Sequence, residues 1–177
     1  MRKLFRLLVG FVLLFTAGWL VVHTFHTYRA KKEATEKIQI LQHCFFESLH
    51  GGQICLDGFN PNQSTVILYF HPECEHCQYE ATEIGRQSDR FSKANLILIT
   101  PDDSVKRIET FADRYKLWQV DNLVILFDRN GQFKKQFGTS VVPSVFIYGA
   151  NKRLLKQFVG EVKMEAVLKI IDGKENL

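Results

Sequence analysis

The chain has 177 residues, room for one ordinary domain and one appendage. With 46% hydrophobic and 24% charged residues it is neither a disordered polyelectrolyte nor a polytopic membrane protein, and four cysteines are too few for a disulfide-stapled mini-protein. The net charge of +4 is unevenly placed: Arg2, Lys3, Arg6, Arg29, Lys31 and Lys32 precede every acid, and residues 33–177 carry 17 bases against 19 acids, which excludes a nucleic-acid-binding balance.

Residues 1–6 form a basic N-terminus, and no Lys, Arg, Asp or Glu follows until Arg29. As a helix, 7–28 spans roughly 33 Å, enough for a bilayer core. Trp19 and Tyr28 suit the outer interface. No small-x-small cleavage site follows the run, so a single uncleaved membrane anchor is expected rather than a signal peptide. Three basic residues on each side leave the orientation nearly tied. Residues 29–41 are polar, rich in helix formers, and predict a stalk ahead of a domain at 42–177.

The domain opens with a hairpin signal, HCFFESL and QICL around His50-Gly51-Gly52. Val66 to Phe70 predicts a strand buried on both faces, and Cys74 to about Ser88 a helix. NLILIT, 95–100, predicts a second buried strand. Ser104 to Tyr115 predicts a helix capped by Asp102, Asp103 or Ser104. Leu123 to Phe127 is a third strand, followed by a loop. Ser144 to Tyr148 and Leu154 to Val159 form a second hairpin, and Lys163 to Ile171 a final helix. Strand–helix alternation closed by a hairpin and helix implies an α/β domain with a mixed sheet flanked by helices. Phe45, Phe46, Phe59, Phe70, Phe127 and Phe146 are the aromatic core candidates.

The chemistry is concentrated in Cys74-Glu75-His76-Cys77. Two residues between cysteines at a helix start let both sulfurs approach disulfide geometry. The unpaired N–H groups of that helix end favour an anionic, attacking sulfur at Cys74, with Cys77 more buried and resolving. A zinc ribbon lacks its second CxxC, because Cys44 and Cys55 lie eleven apart and upstream. A CxxC that follows a strand and opens a βαβ unit points to a redox site of the thioredoxin kind. A rival reading gathers Cys74, Cys77, His71 and His76 into a soft-metal site for copper or zinc delivery. Val142-Pro143 precedes the strand 144–148. A cis bond there, beside the end of the strand that carries Cys74, turns backbone groups toward a client peptide.

With these residues in view, the chain resembles membrane-anchored thioredoxin-like proteins of the TlpA/ResA type over about 38–172. The strand–CxxC–helix unit, the segment 127–160 and the terminal helix carry the likeness. The resemblance implies a thioredoxin-like fold with an N-terminal β-hairpin and thiol–disulfide exchange without a bound cofactor. It places the domain outside the cytoplasmic membrane, in the periplasm or an equivalent space. It also implies client protein thiols or disulfides, reduction by a membrane thiol–disulfide carrier, and cytochrome c maturation as one service. ResA-type members use a glutamate three residues after the second cysteine, and Glu80 stands there.

The departures are specific. Glu73 replaces the usual Trp before the first cysteine, and Leu68 stands where thioredoxin buries an acid. His76 before the second cysteine resembles DsbA-type oxidants; a protonated His76 favours a thiolate at Cys74, whereas Glu73 and Glu75 oppose it. Peroxidases of the peroxiredoxin kind carry Pro seven residues and Thr three residues before their cysteine, where this chain has Ile67 and His71. Cys44 and Cys55 face each other only if the hairpin loop is Ser48–Gly51; a Gly51-Gly52 loop pairs Ser48 with Cys55. Two buried thiols are the expectation.

Overall fold

The computed structural model describes residues 15, 16, 18–25 and 36–173. The chain divides into two units, 1–36 and 37–177. In the first, 18–25 are helical with exposed side chains. Thr24 Oγ1 donates to the Leu20 carbonyl at 2.7 Å, and the Trp19 and His23 rings stack at 5.3 Å. Much of the expected 7–28 span, and all of the basic tail, lies outside the described residues, among which no helix is long and apolar enough to cross a membrane.

The second unit begins earlier than the polar composition of 29–41 implies. Ile38 and Leu41 are buried, and Ile40 bridges to Arg153. Residues 38–41, expected to belong to the stalk, thus pack with the domain, because apolar side chains at 38 and 41 complete one of its core faces.

Seven strands form one sheet in the order β2-β1-β5-β4-β3-β6-β7. They are β1 (Phe45–Ser48), β2 (Gln53–Cys55), β3 (Thr65–Tyr69), β4 (Asn95–Thr100), β5 (Leu123–Phe127), β6 (Ser144–Tyr148) and β7 (Leu154–Val159). β3, β4 and β5 are parallel, and β6, β7, β1 and β2 extend the sheet antiparallel on either side. Side chains alternate between faces along a strand. Val66, Leu68, Leu96, Leu98, Val145 and Ile147 accordingly build one core, and Ile67, Tyr69, Ile97, Ile99, Phe146 and Tyr148 the other.

The first face is covered by α1 (Glu75–Arg86), α3 (Val105–Arg114) and α5 (Met164–Ile171), which contribute Cys77, Ala81, Ile84, Ile108, Phe111, Val167 and Leu168 to its core. A short α2 (Ser88–Phe91) buries Phe91 there as well. The Ser104 hydroxyl caps α3 by accepting from Arg107 N–H at 3.4 Å. The second face is closed by Ile38, Leu41 and α4 (Gln132–Phe137), a helix in the segment expected to be a loop. Its six residues lie between Gly131 and Gly138, both left-handed at φ 59° and 74°, a backbone conformation that suits glycine. Phe133 and Phe137, four apart, stack at 4.3 Å and meet Phe146; packing rather than helix propensity holds this short element.

Candidate redox site

β3 ends at Tyr69, and the chain reaches Cys74 in five residues. The Cys74 N–H donates to the His71 carbonyl at 3.0 Å, closing a turn that places Cys74 at the N-cap of α1. Cys74 is half-buried and Cys77, one turn along, fully buried; both are free thiols. The two side chains are neighbours one helical turn apart. Burial, with Cys74 and Glu80 close by, holds the Cys77 thiol far above the ordinary thiol range.

The Val142–Pro143 bond is cis, and β6 starts directly after it, with Ser144 opposite Tyr69. The antiparallel pairing of β6 with β3 thus brings this loop to the end of β3. The Val142 carbonyl lies 4.0 Å from Cys74 Sγ.

Glu80 follows Cys77 by one turn and is completely buried. One carboxyl oxygen accepts the Val162 N–H at 2.9 Å, while the other has no hydrogen-bond partner among the described residues. Burial pushes its carboxyl up to about 7, with the charge of Glu161 adding to the effect. A buried carboxyl thus comes from the helix, whereas Leu68 on the strand is ordinary core.

Side chains in and beside the motif meet partners from other segments. His76 Nδ1 contacts Glu161 Oε2 across from the loop that follows β7. Arg107 pairs with Glu73 at 2.8 Å and with buried Asp102 at 2.8 Å. His71, at the strand end, is only 34% exposed, with Nε2 3.8 Å from Asp102, because β4 ends beside it. His71 therefore faces Asp102 and His76 faces Glu161, so the four-ligand soft-metal set is not gathered. Among the described residues the one converging group of three metal-ligating side chains lies elsewhere, at His43, Cys55 and Asp57.

Glu161 and Val162 escape sequence reasoning, since no motif marks the end of β7. The only signal is an acid directly after Gly160, whose φ of 98° turns the chain back over α1. Beside the motif, a groove of about 450 Å³ is lined by Pro72, Glu73, Gln78, Arg107, Phe111 and Tyr115.

The first hairpin settles the other cysteines. Phe45 pairs with Cys55 and Glu47 with Gln53, a register that neither expected loop gives. Cys55 consequently shares its face with Phe45, 46% exposed and not a core residue, and is half-buried; Cys44 points into the core. Only one of the two expected buried thiols is buried. Phe59 is half-buried against the second core; Phe46, Phe70, Phe127 and Phe146 are core as expected.

Residues 38–157 match the model of the AhpC/TSA family. Among solved structures, the chain is similar to a secreted Mycobacterium tuberculosis disulfide oxidoreductase described as homologous to E. coli DsbE, at 16% identity and TM-score 0.64 over 78% of this chain and 98% of that one. It is also similar to a secreted thiol–disulfide isomerase from Corynebacterium glutamicum, at 20% identity and TM-score 0.64 over 74% and 82%. The peroxidoxin BcpB of Mycobacterium tuberculosis is a third, at 16% identity and TM-score 0.63 over 77% and 96%. At these identities the likeness is one of fold, the thioredoxin-like mixed sheet. No curated protein matches the chain.

Proposed function

This chain belongs to the AhpC/TSA family and is a thioredoxin-like thiol–disulfide oxidoreductase; from that premise we propose that it is membrane-anchored and reduces disulfides of exported client proteins outside the cytoplasmic membrane. The observation that carries the reading is the half-buried Cys74 at a helix N-cap, beside the Val142 carbonyl and one turn from a buried Cys77 that adjoins a buried Glu80.

The Cys74 thiolate attacks one sulfur of a client disulfide. A Cys74–client disulfide forms and the other client sulfur leaves as a thiolate. Cys77 then gives its proton to the Glu80 carboxylate and attacks the Cys74 sulfur. The Cys74–Cys77 disulfide closes, and the client is released with both sulfurs reduced. Two electrons pass from the cysteine pair to the client. A membrane thiol–disulfide carrier returns them, and the client cysteines of cytochrome c maturation are a fitting substrate class.

The pairing of nearby cations supports the reducing direction. A cation left unmatched beside Cys74 stabilises the reduced enzyme and makes an oxidant. Here His76 is matched by Glu161 and Arg107 by Glu73 and Asp102, so that stabilisation is offset. The uncharged run 7–28 and its basic flanks support the anchor. Peroxide is the disfavoured substrate, because the positions at which peroxiredoxins carry Pro and Thr hold Ile67, in the centre of β3, and His71, turned to Asp102.

The test is turnover of full-length protein in detergent with dithiothreitol, using insulin disulfides in one arm and hydrogen peroxide in the other. Insulin reduction that stops with Cys74→Ser, and a Cys77→Ser variant that accumulates a Cys74–insulin disulfide, are the expected results. Peroxide consumption without insulin reduction contradicts the proposal.

A further inference from the structure

We propose a second, metal-binding site in this protein, in which His43, Cys55 and Asp57 on the first hairpin hold a borderline divalent ion of the zinc class. The site shares no residue with the cysteine pair of the redox centre and requires no disulfide chemistry.

The hairpin geometry assembles it. In the register that pairs Phe45 with Cys55, residues 44 and 56 come next, and the Leu56 N–H indeed donates to the Cys44 carbonyl at 2.9 Å. His43 and Asp57 follow as the next opposed pair. Alternation puts 43, 45, 55 and 57 on one face and Cys44 on the other. Cys44 therefore belongs to the core and supplies no ligand.

The three donor atoms already converge. Asp57 Oδ1 lies 2.9 Å from His43 Nδ1 and accepts the Cys55 thiol at 2.7 Å, and Cys55 Sγ lies 3.3 Å from His43 Nδ1. A tetrahedral ion with bonds of about 2.0–2.3 Å keeps its donors roughly 3.3–3.6 Å apart. The donors thus need to open by less than about 1 Å to admit it. His43, with 70% of its side chain exposed, has room to do so.

A nucleophile–base–orienter triad does not fit these contacts, since Asp57 meets the sulfur directly and both Cys55 and Asp57 meet the same ring nitrogen of His43. One thiolate, one imidazole and one carboxylate form a donor set that suits zinc better than magnesium or calcium. The two ligand charges neutralise a dication. Lys152 Nζ, bonded to the Asp57 carbonyl at 2.9 Å, stands 3.8 Å from Oδ2 and leaves Oδ1 to face the site. The Phe45 ring meets His43 edge-on at 5.1 Å, and solvent provides the fourth position. Binding exchanges the S–H proton of Cys55 for the ion, so each ion bound releases one proton to solvent.

The experiment uses full-length protein in detergent carrying Cys74→Ser and Cys77→Ser, which removes the other pair of thiols that bind metal. Co²⁺ is titrated as the spectroscopic probe for Zn²⁺, with proton release followed in parallel. One equivalent of Co²⁺ producing a thiolate-to-metal charge-transfer band and tetrahedral d–d bands, displaced by Zn²⁺ with one proton released per ion, is the expected result. Loss of an outer-shell partner weakens metal sites about 10–100-fold, so loss of a ligand itself must exceed that. Cys55→Ser should abolish the band, and His43→Ala should weaken binding by more than about 100-fold. Circular dichroism checks that each variant remains folded. Absence of a thiolate band in the parent, or a band that persists in folded Cys55→Ser, overturns the proposal.

Discussion

The chain brings two cysteines together at the start of α1 and keeps two others apart on the first hairpin. Cys74 and Cys77 are three residues apart on one helix, a spacing that puts both on one face whatever the rest of the fold does. Cys44 and Cys55 lie next to each other across two strands, yet their side chains leave opposite faces of the sheet because the register is Phe45 with Cys55. A helix spacing is a local instruction and survives small changes elsewhere. A strand pairing depends on loop length, and a shift of one residue exchanges core for solvent. Thus the first pair can close into a disulfide, while burial pushes the Cys44 thiol up to about 12 and Cys55 turns to His43 and Asp57.

The sharpest way to break this contrast is to remove sulfurs one at a time. Cys74→Ser should abolish disulfide exchange, a loss of more than about 1,000-fold for a nucleophile, whereas Cys44→Ala and Cys55→Ser should leave insulin reduction within about twofold of the parent. A large loss from either hairpin variant would mean that the two regions are coupled.

Glu80→Gln acts at the redox centre alone. If Glu80 is the proposed base, its loss should slow resolution by roughly 100-fold, measured as persistence of the mixed disulfide in stopped-flow. The same variant carries a stability signature. Glu80 binds its proton more tightly folded, at about 7, than unfolded, near 4.5. Its contribution to stability is therefore full below the ordinary carboxylate range and declines as pH rises through 7. The loss across that window is about 3 kcal/mol for this group. Urea unfolding at pH 4.5 and pH 8 should show that component in the parent and lack it in Glu80→Gln.

Two packing variants sharpen the comparison further. A Cβ at Gly85, on the helix that carries the redox pair, would lie 1.9 Å from the Tyr115 carbonyl oxygen, where backbone cannot move aside cheaply. Gly85→Ala should lower stability by about 2–3 kcal/mol and disturb α1. Cys44→Ala should lower it by only about 1 kcal/mol, with the redox centre intact. Thermal unfolding of both, read beside insulin reduction, separates the two regions.

The central sheet was legible because its strands are continuous apolar runs. NLILIT and Leu123–Phe127 are strands at the residues expected, and the Val142–Pro143 loop lies beside Cys74 as the antiparallel pairing of 144–148 requires. The region around α4 was not legible. QFKKQF has two apolar residues and less than two turns, so its helix exists only through the stack of Phe133 on Phe137 and their contact with Phe146. The placement of Cys74, Cys77 and Glu80 along one helix followed from their spacing. The site's electrostatic partners did not: Asp102 and Arg107 reach it from the start of α3, and Glu161 from the end of β7. The cluster at His43, Cys55 and Asp57 depends on a hairpin register one residue away from the four-residue-loop alternative, a difference that composition does not encode.

The most direct test of the contrast is a glutathione redox titration of the full-length protein in detergent, with thiols alkylated and each cysteine peptide resolved by mass. Cys74 and Cys77 should become protected together as one two-electron couple, well below about −220 mV for a reductant, while Cys44 and Cys55 remain alkylatable thiols in the unfolded quench at every potential. A Cys44–Cys55 disulfide, or a Cys74 and Cys77 that never protect one another, would contradict the account.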